Sequence, residues 1–192
     1  MHLKRLCVQS NADLGLMNEL LSEAADYNLQ TYGGLPGSDA AEWMFHGFPQ
    51  ECRTEDRLIM ALFDRHEAIG LAQVARAYPT PEIAHLGLLL IRPARRRHHL
   101  GCEAFEQLSH KARTWPGIER WQLGVLETNE AGLRFWRHCG FRTVASDRRE
   151  HGIAASGCVM ERAVKARPAC RGGRTESSSR HTHAGNLFAV LR

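Results

Sequence analysis

The sequence has no long run of apolar residues and no pair of cysteines in a C-x-x-C arrangement. A helix that spans a membrane needs roughly 20 consecutive apolar residues, so we expect no membrane-spanning segment. The first ten residues also lack the apolar core of a signal peptide. The six cysteines are scattered along the chain, which argues against a zinc site or a disulfide framework. These absences predict a cytoplasmic protein with reduced thiols and no bound metal.

Most of the chain also lacks an excess of positive charge, although the whole sequence has a net charge of +4. Residues 1–162 contain 19 basic and 20 acidic residues, a net charge of −1, whereas residues 163–192 contain six basic and one acidic, a net charge of +5. Binding to nucleic acid depends mainly on cationic side chains. A nucleic-acid binder that uses an arginine run and the tail is therefore a weaker interpretation.

A strand–turn–helix pattern covers residues 84–105. Leu86–Ile91 is an uninterrupted apolar run, typical of a strand buried on both faces, and Pro93 ends it because proline cannot donate to a ladder. Helical spacing of apolar residues begins at Leu100. Between strand and helix lies a basic turn, residues 95–99. Free N–H groups at a helix start, the helix dipole and nearby arginines together predict a site for an anion.

The remaining patterns predict alternating strands and helices. In chain order we expect a strand, two helices, a hairpin, the long central strand, a helix, a strand, a helix and two strands. Ser10 and Asn129 are suited to cap the first and last helices. The predicted units are one domain, 1–164, and a basic, disordered tail, 165–192. We expect strands over residues 3–8, 57–64, 120–126, 141–145 and 158–164, and a helix over residues 130–138.

A second pattern follows the next predicted strand. Residues 129–141 read Asn-Glu-Ala-Gly-Leu-Arg-Phe-Trp-Arg-His-Cys-Gly-Phe, which resembles the Asn-x-x-Ala-x-x-Phe-Tyr-x-x-x-Gly-Phe signature of the GNAT acyltransferase superfamily. The basic turn resembles that family's other signature, Arg/Gln-x-x-Gly-x-Gly/Ala. It reads Arg-Arg-His-His-Leu-Gly over residues 96–101, where His99 replaces one glycine. Two signatures in the family's order, on the expected elements, carry a resemblance from about residue 3 to residue 164.

The resemblance implies an α/β GNAT fold, a mixed and mostly antiparallel sheet of about six to seven strands flanked by about four helices. It implies an N-acetyltransferase with acetyl-CoA as co-substrate. Pantetheine would pair as an added strand with Leu89, Leu90 and Ile91, and Asn129 would contact the same arm. The pyrophosphate would lie on the turn, whose residues must be small or tolerate left-handed φ, as histidine does better than most. The implied contacts of the turn are Arg96, Arg97, His98, His99, Leu100, Gly101 and Cys102.

The same resemblance identifies candidates for the chemical step. An attacking amine must be neutral, and histidine, with an ordinary pKa of about 6.5, suits removal of a proton near neutral pH. The family's base on the central strand corresponds to His85, with Glu82 just before it, and its other common place is occupied by Gly124. The family's frequent acid, a tyrosine, corresponds to Trp136, which would contact the coenzyme but has no usable proton to give. Relay by water and departure of the coenzyme as a thiolate are the alternatives.

The family's acceptor site lies under the first two helices, where acidic and aromatic residues are dense. Asp26, Tyr27 and Trp43 are the candidate acceptor-binding residues. Residues 1–50 contain six acidic and two basic side chains, which favours a small cationic amine such as an aminoglycoside, a polyamine or a basic peptide. A homodimer is compatible with the sequence. The absent tyrosine and the replaced glycine leave an alternative of another class, a non-catalytic regulator that binds acyl-CoA. Other acidic side chains of the region are Glu19, Glu23, Asp39 and Glu42.

Overall fold

A computed structural model of the chain describes residues 1–24, 37, 39–148 and 156–165. These residues form one seven-stranded sheet and four α-helices. The strands are β1 (His2–Arg5), β2 (Arg57–Asp64), β3 (Glu67–Arg76), β4 (Ile83–Ile91), β5 (Arg120–Leu126), β6 (Arg142–Arg148) and β7 (Gly157–Ala163). The helices are α1 (Asn11–Glu23), α2 (Ala40–His46), α3 (Leu100–Ala112) and α4 (Glu130–His138).

The strand order is β1-β2-β3-β4-β5-β7-β6. Neighbouring strands are antiparallel, except for the parallel pair of β4 and β5. A parallel pair needs a crossover connection, and α3 supplies it. The mixed, mostly antiparallel sheet predicted from the sequence is therefore confirmed.

The helices cover the two faces of the sheet with two apolar cores. On the first face, α3 and α4 pack around a cluster that includes Phe105, Trp121 and Trp136. On the second face, α1 and α2 pack against β2, β3 and β4. Among the described residues, the second core contains no residue of β5.

Central strand β4 is buried along its whole length, as its apolar run predicts. Its pairing with β3 shifts at one point, because Val74 lies opposite Leu86 whereas Gln73 lies opposite Leu88. Gly87 is the extra residue, and such a bulge shifts the alternation of side chains along a strand. His85 and Leu88 consequently lie on the same, second face. The sequence pattern did not predict this bulge.

Local signals located the start of α1 but not the end of β1. The Ser10 hydroxyl accepts the N–H of Asp13 at 3.2 Å, which is the predicted cap. The Asp13 carboxylate does not complete a capping box, because it accepts the N–H of Cys7 at 3.0 Å. That bond takes Cys7 out of the strand ladder, so β1 ends at Arg5 and not at the predicted Val8.

Several predictions concern residues outside the described ranges. The predicted tail from residue 166 onward and the segment that contains Asp26 and Tyr27 belong to them. The tail boundary therefore stays a prediction. Within the described ranges, no helix combines the length and the apolar character that crossing a membrane requires.

Candidate active site

The parallel strands β4 and β5 are paired over a short stretch. Ile83, Ala84 and His85 lie opposite Arg120, Trp121 and Gln122, and no further pairing joins the two strands among the described residues. Both strands continue beyond this point and stay bonded to their outer neighbours. They therefore diverge, and we call the space between them the β4–β5 gap. His85 and Gln122 are the last residue pair of the two strands before the gap begins.

The backbone of β4 alternates between β3 and this gap. The Arg92 N–H donates to the Ile69 carbonyl of β3 at 2.8 Å. In an antiparallel ladder, hydrogen-bonded residue pairs alternate with non-hydrogen-bonded pairs. Leu90 therefore bonds to β3, whereas Leu89 and Ile91 direct their main-chain groups into the gap. Of the three residues predicted to pair with pantetheine, these two have main-chain groups on the required side.

Arg96 closes one end of the gap. Its Nε donates to the Ile91 carbonyl at 2.9 Å, which ties the basic turn to the end of β4. Arg96 is predicted to contact the coenzyme, and this hydrogen bond shows that it also has a structural role. The Ile91 carbonyl is already used by this bond, while its N–H still faces the gap.

The turn between β4 and α3 has a backbone shape suited to an anion. Arg97 and His99 have left-handed φ values of 64° and 59°, and His99 precedes α3 without a side-chain cap bond. The N–H of Glu103 bonds to the His99 carbonyl at 3.1 Å, so the N–H groups of residues 100–102 precede the first intrahelical bond. Such a turn and the α3 dipole together favour a phosphate. Left-handed backbone was expected at His99, but not at Arg97.

The arginines around the turn have different partners. Arg92 pairs with Glu19 and Glu23 of α1, with 3.1 Å between Arg92 Nε and Glu23 Oε2. Arg95 pairs with Asp64 at the end of β2. Arg97 is exposed, as are His98 and His99. The arginines therefore have two different roles. Arg92 and Arg95 neutralise acidic neighbours and hold the turn against the sheet, whereas the Arg97 side chain is exposed.

His85 lies on the second face, where the β4–β5 gap begins. It is 3% exposed, and its ring packs edge-on against Tyr78 with 6.0 Å between centroids. Glu82 precedes β4, and the Thr80 side chain, the Glu82 backbone and Arg120 lower the pKa of its carboxyl. A lower pKa makes a weaker base. Of the two predicted catalytic residues, His85 has the more suitable position and chemistry.

The second signature forms a helix start and part of the core. The Asn129 side-chain oxygen accepts the Gly132 N–H at 2.9 Å, and Asn129 is 2% exposed. Trp136 is completely buried, with ring centroids 5.6 Å from Phe105 and 5.1 Å from Phe141. These contacts give Asn129 and Trp136 structural roles. A coenzyme contact of Trp136 would require the aromatic core to open, and the coenzyme contacts of both residues stay predictions.

The Cys102 thiol is a feature of the site that sequence analysis missed. A hydrogen bond with Cys139, together with His138 and His99, lowers the pKa of Cys102 to about 6 despite its partial burial. The same hydrogen bond and burial raise the pKa of Cys139. A thiolate is further stabilised at a helix N-terminus. The two cysteines are far apart in the sequence, so no local pattern connects them.

Comparison with known proteins identifies the family. The sequence profile of the Acetyltransferase (GNAT) family matches residues 17–141. The chain belongs to the GNAT family. It is therefore an acyltransferase enzyme, and the fold expected from its two signatures is confirmed. No curated protein sequence matches the chain.

Solved structures share this GNAT fold. An acetyltransferase from Thermus thermophilus is 24% identical, with a TM-score of 0.65 over 85% of this chain and 97% of that one. An aminoglycoside 6'-N-acetyltransferase complexed with coenzyme A is 16% identical, with a TM-score of 0.64 over 88% and 99%. Spermidine N-acetyltransferase from Vibrio cholerae, in complex with CoA and spermine, is 13% identical, with a TM-score of 0.64 over 84% and 94%. At these identities the likeness shows the fold.

The predicted acceptor residues of this GNAT domain are only partly described. Trp43 is 59% exposed on α2, whereas Asp26 and Tyr27 lie outside the described residues. Glu19 and Glu23 were expected to add negative charge to the acceptor site. Both carboxylates instead form ion pairs with Arg92, which neutralises their charge. The described residues contain no cluster of three metal-binding side chains.

Three polar or aromatic residues near the gap were missed by sequence analysis. They are Tyr78, Gln122 and Glu161, and all are on or beside the second face. Gln122 offered a signal, because it is the polar residue inside the otherwise apolar run 121–126. The other two gave none, since Tyr78 precedes β4 in a turn and Glu161 lies in a strand of mixed character.

Proposed function

We propose that this GNAT enzyme transfers the acetyl group of acetyl-CoA to the primary amine of a small, cationic acceptor by direct attack in a ternary complex. The observation that carries the proposal is the β4–β5 gap that leads to the uncapped start of α3. Leu89 and Ile91 present main-chain groups along the gap, which suit the amides of pantetheine. The N–H groups of residues 100–102 suit a pyrophosphate. Arg97 lies beside them and adds positive charge.

The chemistry requires the transfer of one proton and the exchange of one bond. The neutral amine attacks the thioester carbonyl, so that the C–N bond forms and the C–S bond breaks. The amine loses its proton to His85 or to a water in its place. Coenzyme A leaves as a thiolate, which is acceptable because thiols ionise near about pH 8–9. An N–H of Leu89 or Ile91 would stabilise the oxyanion, and holding both reactants together supplies much of the rate.

A cationic acceptor is supported by charge and by the similar structures. Asp39 and Glu42 beside Trp43 are exposed on the second helix and its cap, and neither carboxylate pairs with Arg92. Two of the similar structures are an aminoglycoside and a spermidine N-acetyltransferase. Both acceptor classes have several ammonium groups. A cationic amine therefore fits better than an anionic one.

The test is the release of coenzyme A thiol from acetyl-CoA with a panel of amines. The panel contains kanamycin, spermidine, free amino acids and a basic peptide, and we expect the cationic members to react best. His85→Gln should lower kcat by about a hundredfold because a general base is lost. His110→Gln, at an exposed position of α3, is the matched control and should retain full activity.

Three results would change the proposal. No thiol release with any amine would contradict the transferase activity. A best substrate without positive charge would refute the acceptor class and leave the transferase assignment intact. Parallel instead of intersecting initial-rate lines would exclude a ternary complex.

A further inference from the structure

A row of polar side chains crosses the sheet where the β4–β5 gap begins. His85 lies opposite Gln122 in the parallel pair, and Gln122 lies opposite Glu161 in the antiparallel pair of β5 and β7. Their strand neighbours Trp121 and Met160 belong to the core of the first face. Because successive side chains of a strand point to opposite faces, Gln122 and Glu161 are on the second face with His85.

Glu161 fixes the orientation of the Gln122 amide. Gln122 is 6% exposed, and its Nε2 donates to Glu161 Oε1 at 2.9 Å. An ionised carboxylate can only accept hydrogen bonds, so the nitrogen of the amide must face Glu161 and its oxygen must face away. The other carboxylate oxygen of Glu161 is 3.7 Å from Arg120 Nη1. This ion pair helps to hold the carboxylate in place.

The side-chain oxygen of Gln122 has no partner among the residues that the structure describes. It is buried and accepts no hydrogen bond from the described residues. A buried acceptor without a partner destabilises a protein, and such groups call for an explanation. Here the unpartnered oxygen belongs to Gln122, which forms the last residue pair before the gap with His85.

We propose that Gln122 is a positioning residue for the acceptor, and that its side-chain oxygen accepts one N–H of the attacking amine. This inference rests on the proposed function. A neutral primary amine has two N–H bonds and one lone pair. One N–H donates to Gln122, the lone pair attacks the thioester carbon, and the second N–H supplies the proton that leaves. The C–N bond replaces the C–S bond, and the thiolate leaves with the electron pair.

The arrangement selects primary amines over secondary amines and alcohols. A secondary amine has a single N–H, which cannot both donate to Gln122 and be removed as the proton. An alcohol has the same deficiency in its single O–H. The specificity therefore comes from the number of hydrogens on the nucleophile, and it adds to any selection by charge.

The experiment compares the best primary amine of the panel with its N-methyl derivative. Gln122→Met removes the oxygen at similar size. We expect kcat/KM for the primary amine to fall about tenfold, as for one lost hydrogen bond, while KM for acetyl-CoA stays within twofold. The preference for the primary amine over its N-methyl derivative should fall by the same factor. A purely steric preference would survive the substitution.

Gln73→Met is the matched control. Gln73 is also a buried glutamine of the second face, and its Nε2 donates to the Met44 carbonyl of α2 at 3.0 Å, away from the gap. Like Gln122→Met it removes a buried amide and its hydrogen bond, and it should leave the preference between the two amines unchanged. If Gln122→Met does not fold, Glu161→Gln takes its place. That variant lets the amide turn, and it should reduce the preference about threefold.

The outcomes separate the inference from the proposed function. Thiol release by the unmodified enzyme is measured first, and its absence with every amine contradicts both. Turnover combined with an unchanged preference in Gln122→Met, or in Glu161→Gln where that variant is needed, overturns the role of Gln122 alone. A loss of preference in Gln73→Met equal to that in Gln122→Met also overturns it, because the effect would then be structural.

Discussion

Helices α3 and α4 follow the two strands that border the β4–β5 gap, and they begin in opposite ways. At α4, Asn129 accepts the Gly132 N–H and closes the helix start. A Cβ at Gly132 would lie 2.6 Å from the Asn129 Nδ2, so glycine makes room for the cap. At α3, His99 makes no cap bond, and the N–H groups of residues 100–102 are left outside the helix ladder.

The difference shows that an open helix start is not a general property of strand–turn–helix units in this fold. The open start is also energetically worse than the closed one. A missing cap costs about 1 kcal/mol, and a left-handed φ at a residue such as Arg97 or His99 costs about 1–2 kcal/mol. Local strain of this kind is concentrated at functional sites. The comparison therefore supports the proposal that the start of α3 binds an anion, whereas the start of α4 is closed by its own cap.

The largest expected effect comes from placing the same carboxylate at both helix starts. Gly101 and Ala131 are each the second residue of their helix. Gly101→Glu should abolish the binding of acetyl-CoA, because a negative side chain then lies beside the N–H groups proposed to hold the pyrophosphate. Ala131→Glu should bind normally, since α4 is not part of that site and its dipole favours the charge.

The measurement is the stabilisation that acetyl-CoA gives to each variant. A concentration of about 100 times Kd should stabilise a binding-competent protein by about 2.7 kcal/mol. If both variants keep this stabilisation, the start of α3 does not hold the pyrophosphate. If both lose it, the effect is one of overall charge and the distinction between the two helices fails.

The next effect concerns the two cysteines at these helices, Cys102 in the first turn of α3 and Cys139 after α4. The pKa of Cys102 is lowered to about 6, so its thiolate is the main form above that pH. Alkylation of Cys102 by iodoacetamide should therefore increase between about pH 5 and pH 7 and then level off, whereas an ordinary thiol continues to gain rate towards about pH 8.5. Peptide mass spectrometry follows each cysteine separately.

Acetyl-CoA, whose sulfur is acylated and does not consume iodoacetamide, should slow the alkylation of Cys102 about tenfold at about ten times its Kd, because its pyrophosphate would cover the start of α3. Exposed Cys7 is the internal control and should react at the same rate with and without acetyl-CoA. Equal protection of both cysteines would indicate a global effect. A Cys102 rate that acetyl-CoA leaves unchanged would place the thiol outside the binding site.

Much of the fold could be predicted because its signals are local. The bounds of β2, β5 and α4 agree with the predicted ones, since each element has a clear periodicity and turn or cap residues at its ends. The backbone part of the site was also accessible from sequence. His99 takes the place of a signature glycine at a position that must tolerate left-handed φ, as histidine does better than most residues, and His99 has a left-handed φ.

The side-chain part of the site could not be predicted, because it depends on residues that are distant in the sequence. Glu23 meets Arg92 and Gln122 meets Glu161 only after the helices and strands have packed. The charge pattern alone therefore placed Glu23 in an acceptor site, although the ion pair with Arg92 neutralises it. The bulge at Gly87, which sets the face of His85 relative to the rest of β4, likewise depends on the pairing with β3.

The smallest expected effect distinguishes the two helix starts by its sign. Asn129→Ala should lower the free energy of unfolding by about 1–2 kcal/mol because it removes a buried cap. His99→Gly should raise it by about 0.5–1 kcal/mol, because glycine adopts left-handed φ without strain while its greater freedom in the unfolded chain limits the gain. The φ of His99 is 59°, and the residue has no cap bond to lose. Urea unfolding without coenzyme measures both variants, and acetyl-CoA affinity should stay within twofold in His99→Gly, since the N–H groups of the turn are unchanged. A less stable His99→Gly variant would mean that the histidine side chain supports the fold, and that the start of α3 is not the strained one of the two.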